Sequence, residues 1–287
     1  MQVTQLDRDL YCLATAGFLV IPDFLAEPIV NAIEESAVAF ELEVEAFAAA
    51  GGKVALRHSW PLRTTRCLFA VSLEIQDFVM NDYLQSVARA YLKRPILRDC
   101  LLQTVMPDGR NAGRGANGDL SIHRDTMWDE DQADPYYLHA FLVLDDFTAY
   151  NGATVVVPGT HRAREPGYYF KHSDPRRPQS GIDYAVYEKR YFPSAIQLKA
   201  QRGSLILLDP MVIHSQGNNV TNAPRRLVNA TFRNSMCRPR PALLNARRIA
   251  ALHSRVPVRP DLLLMLEDDP SLPSVFGPLG AEPLMCG

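Results

Sequence analysis

Between residues 96 and 233 the chain is a series of short apolar runs separated by turn chemistry, and this pattern limits the folds open to it. The runs are "ILRDCLLQTVM", "LHAFLVLDDF", "ATVVVPG", "SAIQLKA", "GSLILLD" and "RRLVNATFR". They are rich in Val, Leu and Ile, too short for stable helices, and bounded by Gly, Pro and Asn. Runs of this kind read as the strands of an all-β sandwich or barrel. The region before them is different. Residues 5 to 18 read as a helix ended by Gly17, and "FLVIPDF" follows as a short strand stopped at Pro22. "AEPIVNAIEESAVAFELEVEAFAAAGG" carries apolar residues at helical spacing up to Gly51 and Gly52. In 73 to 92, Ile75, Phe78, Val79, Tyr83, Leu84, Val87 and Tyr91 recur three or four apart, predicting one more helix. Helices first and strands after them predict a β core with helices packed outside it. There is no internal repeat and no long linker, so residues 1–287 are expected to form a single domain.

Composition narrows the class of function. Apolar residues make up 47% and charged residues 22%, as in ordinary globular proteins. A net charge of −2 gives no global field to recruit nucleic acid or an anionic membrane. No apolar run approaches the roughly 20 residues that span a bilayer. The start, "MQVTQLDRDLYCLATAGFLVIPDF", lacks a basic segment followed by an uninterrupted apolar stretch, so no signal peptide is expected. Cys12, Cys67, Cys100, Cys237 and Cys286 are odd in number and form no CxxC pair. That spacing favours neither a disulfide framework nor a thiolate zinc site. The expectation is a cytoplasmic protein with reduced thiols and a small-molecule substrate. Neither nucleic acid nor membrane is expected as a partner, and a homodimer is the assembly allowed for.

Two loops stand out. "DGRNAGRGANGD" (108 to 119) is rich in Gly and Asn and leads into His123. The stretch from 163 to 190 is long for a compact domain, and its aromatic content favours a lid over a decorated surface loop.

The chemistry-bearing stretch is "SIHRDTMW", 121 to 128. In a strand, His123 and Asp125 point to one side and Arg124 to the other. An isolated HxD is more often a polar patch than a metal site. His214, at the end of the apolar run in "GSLILLDPMVIHSQGN", offers a third donor. Two histidines and a carboxylate on one face is the arrangement of non-haem Fe(II) sites that activate O2. Arg225 follows His214 by eleven residues and could clamp a dicarboxylate. Strand alternation puts Arg225 with Leu227, Asn229 and Thr231, and Arg226 with the greasier Val228, Ala230 and Phe232. The more polar face favours Arg225. The other histidines, His58, His139, His161, His172 and His253, show no such partner in the sequence, and His139 reads as a satisfied core histidine.

With these residues in view, the chain resembles the phytanoyl-CoA dioxygenase family of Fe(II)/2-oxoglutarate-dependent oxygenases, in the form that tailors natural products. Four segments carry the resemblance: "GFLVIPDFL" with the helix after it, "HRD" at 123 to 125, "NGATVVVPGTHR" at 151 to 162, and "HSQGNNVTNAPRR". Together they cover about residues 15 to 235. The resemblance implies a mainly β fold, a double-stranded β-helix (jelly-roll) core with flanking N-terminal α-helices. It implies that His123, Asp125 and His214 bind Fe(II) and carry catalysis, and that Arg225 binds 2-oxoglutarate. Thr154 and Gln103 match positions that contact this co-substrate, and O2 is the second. His161 is a family landmark with a structural role. The distal motif departs from the pattern: His214-Ser215-Gln216 stands where many members have His-Gly-Ser, leaving open whether Ser215 or Gln216 makes the serine's contact. Related halogenases lack the carboxylate, so the presence of Asp125 implies oxygenation.

The implied reaction hydroxylates, desaturates or rearranges an unactivated C–H bond of a small organic molecule, releasing succinate and CO2. A secondary metabolite is the first expectation. A primary-metabolism hydroxylase of an amino acid or acyl derivative is the alternative, and a jelly-roll binding protein or a zinc hydrolase the non-oxygenase ones. Trp128, Arg63 in "RHSWPLRTTR" and Tyr168 in the lid are the expected substrate contacts around a mostly apolar pocket. The basic run 238 to 248 reads as a solvated helix face.

Overall fold

A computed structural model describes residues 3–52, 62–107, 124–125, 135–163, 192–236 and 245–268, without the side chains of 252 and 253. Helix α1 (Gln5–Ala16) opens on a capping box between Thr4 and Asp7. It closes on Gly17, whose φ of +82° suits glycine. A Cβ at Gly17 would lie 2.1 Å from a Val212 methyl, so the absent side chain also lets the N-terminal segment approach the 209–212 turn. Strand β1 (Phe18–Ile21) follows, then the long helix α2 (Glu27–Ala49).

The helix expected over 73 to 92 is two helices, α3 (Leu73–Val79) and α4 (Asp82–Leu92). The Asn81 side chain accepts from the amides of Tyr83 and Leu84 and starts a second helix there. Apolar spacing continues across the break, so periodicity alone does not reveal it.

The strands are β2 (Leu62–Thr65), β3 (Pro95–Val105), β4 (Tyr137–Val143), β5 (Thr154–Val157), β6 (Ile196–Gln197), β7 (Leu205–Leu208), β8 (Ile213–Gln216) and β9 (Arg225–Asn234). They form a six-stranded sheet in the order β1-β7-β4-β9-β3-β2 and a three-stranded sheet in the order β6-β5-β8. Every strand pairing in both sheets is antiparallel. This is the double-stranded β-helix with N-terminal helices that the sequence predicts. Strand β2 lies in a segment expected only as a pocket lining, and β6 is just two residues long.

Alternation along the central strands divides the core in two. Leu138, Ala140 and Leu142 of β4 and Val228, Ala230 and Phe232 of β9 pack with Val30, Ile33, Phe40 and Leu84 of the helices. Phe141 and Val143 of β4 and Leu227 of β9 instead pack with Val156 of the small sheet and with Val212. Each such fully buried aliphatic or Phe side chain contributes about 1.5–3 kcal/mol. One face of the large sheet therefore binds the helical layer, and the other closes an interior against the small sheet. Among the described residues no helix is long and apolar enough to cross a membrane. Of the cysteines described, Cys12, Cys67 and Cys100 are free thiols.

Candidate active site

The turn from Asp209 to Val212 aims His214 into the interior. The Val212 amide donates to Asp209 O at 2.9 Å. The Asp209 carboxylate accepts from the Met211 amide at 2.8 Å and from the Tyr91 hydroxyl at 2.6 Å. Burial pushes this carboxyl up, and the two donors pull it back. The Thr160 hydroxyl donates to Val157 O and accepts from the Ile213 amide, tying β8 to the Pro158-Gly159 turn. His161 donates from Nε2 to Ala14 O at 3.1 Å, pinning helix α1 to that turn. His161 is thus a structural residue, as expected. Strand β8 pairs with β5 so that Val156 lies opposite His214 and Thr154 opposite Gln216. His214 accordingly sits within a strand, just past the turn, rather than at the end of the preceding run.

The tautomer of His214 follows from its neighbour. Nδ1 lies 2.8 Å from Val212 O, and a carbonyl only accepts. Nδ1 therefore carries the proton, and Nε2 keeps the lone pair a metal ligand needs. That Nε2 is 3.7 Å from Asp125 Oδ2.

Arg124 and Asp125 form a bend, not the regular strand that the HxD spacing suggests. The Asp125 amide donates to Pro210 O at 2.9 Å. Arg124 is 2% exposed and donates to Thr160 O at 2.8 Å and Ala163 O at 3.1 Å. The arginine that strand alternation sets aside thus straps the Asp125 bend to the turn beneath β8. His123 lies outside the described residues, as do Trp128, Tyr168 and the two long loops. Among the described residues no three ligating side chains close around one point.

Arg225, at the start of β9, is 2% exposed. Its Nη2 donates to Gly152 O at 2.7 Å, and its guanidinium stacks over the Phe147 ring at 4.5 Å. Nε and Nη1 are buried with no hydrogen-bond partner. Burial pulls this group down to about 9, so it stays charged near neutral pH. A buried, incompletely satisfied cation suits an anionic ligand. Gly152 has φ +80°, and a Cβ there would lie 2.8 Å from a Val105 methyl and 3.0 Å from Gly217 O. The Asn-Gly turn is what brings this carbonyl to Arg225. Arg226 is on the helix face, 3.6 Å from Glu34 and 3.5 Å from Asp145.

Register assigns the remaining residues to faces. Gln103 pairs across from Leu227 and is half-buried on the interior side of β3. Thr154 and Gln216 share the His214 face of the small sheet, and Ser215 points the other way. Arg63 does not join them. It lies opposite Thr104 on the helix side of β2 and β3, and it pairs with Glu45 of α2. A one-residue parity difference removes it from the interior, which corrects the expected substrate contact.

One residue of the site escapes sequence reasoning. His139 donates from Nε2 to Asp125 Oδ2 at 2.9 Å, and its Nδ1 is 3.0 Å from Thr231 Oγ1. It is a satisfied histidine as expected, but one of its partners is the candidate ligand. The signal was its parity with Phe141 and Val143, which line the interior. Beyond it the same wall carries polar groups: Arg233 opposite Tyr137 binds Glu267 through Nε and Nη2 at 3.0 Å each.

The chain is similar to known proteins in sequence and in fold. The sequence profile of the phytanoyl-CoA dioxygenase (PhyH) family matches residues 13–227. An ectoine dioxygenase of Nocardia farcinica is 26% identical over 250 residues, 80% of this chain and 76% of that protein. The crystal structure of AviO1 from Streptomyces viridochromogenes superposes with a TM-score of 0.57 at 16% identity, over 84% of this chain and all of that one. HygX from Streptomyces hygroscopicus, solved with nickel, 2-oxoglutarate and hygromycin B, superposes with a TM-score of 0.52 at 20% identity, over 81% and 88% of the two chains.

Proposed function

The chain belongs to the phytanoyl-CoA dioxygenase family, and from that premise we propose that it oxidises an unactivated C–H bond of a secondary metabolite, consuming 2-oxoglutarate and O2. Bound Fe(II) supplies the oxidising chemistry, coupling decarboxylation of 2-oxoglutarate to succinate and CO2 with oxidation of the substrate. The protein's part is to hold, orient and keep water out. His123, Asp125 and His214 are the metal ligands, and the deprotonated Nε2 of His214 fits that role. Arg225 receives the far carboxylate of 2-oxoglutarate, with Thr154, Gln103 and Gln216 as further contacts from the same interior. Gln216 takes the place of the usual serine, because it shares the His214 face and Ser215 does not.

The observation that carries this reading is Arg225, a buried guanidinium with two unpartnered nitrogens on the same interior face as His214, between the two sheets. The test is succinate release under Fe(II), 2-oxoglutarate and O2, with substrates or uncoupled, paired with anaerobic titration. No succinate, together with no visible band when metal and 2-oxoglutarate bind anaerobically, rejects the reading. A second reading is an amino-acid-derived substrate of primary metabolism. It is favoured by the likeness to an ectoine dioxygenase and by the polar wall at Tyr137 and Arg233. A panel of free amino-acid derivatives and natural products, scored by substrate-dependent succinate, separates the two. Trp128 and Tyr168 remain candidates for contact with either substrate, acting in one catalytic domain.

A further inference from the structure

We propose that His139 is a positioning residue for the metal-binding carboxylate, acting as one link of a relay Thr231–His139–Asp125. The proposal rests on the reading of Asp125 as a metal ligand. Three observations carry it. The His139 Nε2 to Asp125 Oδ2 distance is 2.9 Å, and the same oxygen is 3.7 Å from His214 Nε2. The His139 Nδ1 to Thr231 Oγ1 distance is 3.0 Å, between directly opposed residues of β4 and β9. The ring stacks on Phe141 at 5.7 Å with 19° between the planes, which fixes its tilt.

The proton positions follow from the groups themselves. A carboxylate only accepts, so His139 Nε2 carries the proton it offers to Asp125. In the neutral ring Nδ1 then has a lone pair, and the Thr231 hydroxyl donates to it. The competing acceptor for that hydroxyl, Asn229 Oδ1, is further away at 3.4 Å. The relay therefore runs in one direction, from Thr231 through the imidazole to the carboxylate. A hydrogen bond from a stacked, buried ring fixes the plane of the carboxylate and occupies one lone pair of Oδ2. Asp125, His139 and His214 do not themselves close around a point, which separates His139 from the ligand set. Outer-shell hydrogen bonds of this kind are worth about 10- to 100-fold in metal affinity.

Mn(II) affinity of the whole protein, read by electron paramagnetic resonance without turnover, tests this. Wild type is compared with Asp125→Ala, His139→Phe, His139→Gln and Thr231→Val. His139→Phe is expected to bind Mn(II) about 10- to 100-fold more weakly. His139→Gln, which can place an N–H near Nε2, is expected to recover most of that loss. Thr231→Val keeps the shape, loses the hydroxyl, and is expected to show a smaller weakening. If Asp125→Ala binds as wild type does, the ligand reading falls and this proposal falls with it. If Asp125→Ala loses the ion and His139→Phe keeps it, only the proposal falls. It also falls if His139→Gln is as weak as His139→Phe, because the ring would then ligate or merely pack. Should His139→Phe not fold, Thr231→Val decides, and unchanged affinity there overturns the relay.

Discussion

The two faces of strands β4 and β9 do different jobs with the same backbone. On the helix face Ala140, Leu142, Val228, Ala230 and Phe232 are fully buried and wholly apolar. On the interior face, one residue over, stand His139, Phe141, Arg225, Asn229 and Thr231. The second face is also buried, at 2–9% exposure, yet it is lined with groups that are expensive to bury. Hydrogen bonds offset that cost at His139 and Thr231, but they do so only partly at Arg225. The difference teaches that the helix face stabilises the sheet, and that the interior face carries a cation its own neighbours leave incompletely satisfied.

If that division is right, substitutions on the two faces separate activity from stability. The largest effect belongs to His214→Ala, expected to lower succinate formation to background while the far-UV spectrum and melting temperature stay near wild type. Retained activity would remove His214 from the ligand set. Arg225→Leu comes next. Truncating a buried partner of a charged pair costs about 2–5 kcal/mol. A loss of roughly 30- to 4000-fold in kcat/KM for 2-oxoglutarate is therefore expected at about 1.4 kcal/mol per tenfold. On the opposite face, Phe232→Ala is expected to lower unfolding free energy by about 3–5 kcal/mol by opening a cavity. Urea titration measures this, and the turnover per folded molecule should be kept. Activity loss without destabilisation there would break the division. Smaller still is the contrast within β8. Gln216→Leu should weaken 2-oxoglutarate binding by about 1.5–3 kcal/mol, the range for a hydrogen bond to a charged group. Ser215→Ala should leave it unchanged, because its side chain faces away.

The division into faces was largely legible before the fold was known, because strand alternation is a local rule. Leu227, Asn229 and Thr231 travel with Arg225, and that parity alone selected it over Arg226. Arg63 shows the limit of the same rule. Its segment reads as a pocket lining and not as a strand, so parity is silent there, and the side chain turns toward Glu45. The split between α3 and α4 was hidden because Asn81 caps with a side chain that apolar spacing does not register. His139 was hidden for another reason. Its partner is fourteen residues away in the sequence, and nothing local marks that contact. The N-terminal helix docking through His161 was legible only as a motif, not as the bond to Ala14 that explains it.

A buried carboxylate on the helix face offers the mildest test. Glu41 of α2 is 6% exposed on the helix side and accepts from the Thr104 hydroxyl at 3.0 and 3.2 Å. Burial raises its pKa above 4.5, Thr104 and the Arg63 and Arg226 charges lower it, and burial wins. A carboxyl raised in the folded state is bound more tightly as the acid. Its contribution to stability is full below the unfolded value of 4.5 and is lost as pH rises through the folded value. Glu41→Gln keeps a hydrogen-bonding side chain and removes the titration. Its stability curve is expected to be flatter than wild type from pH 4.5 upward, crossing above it toward neutral pH. Urea midpoints taken across that range decide the matter. If the two curves stay parallel, Glu41 is as well solvated as a surface carboxylate, and the helix face is less dry than the interior it backs.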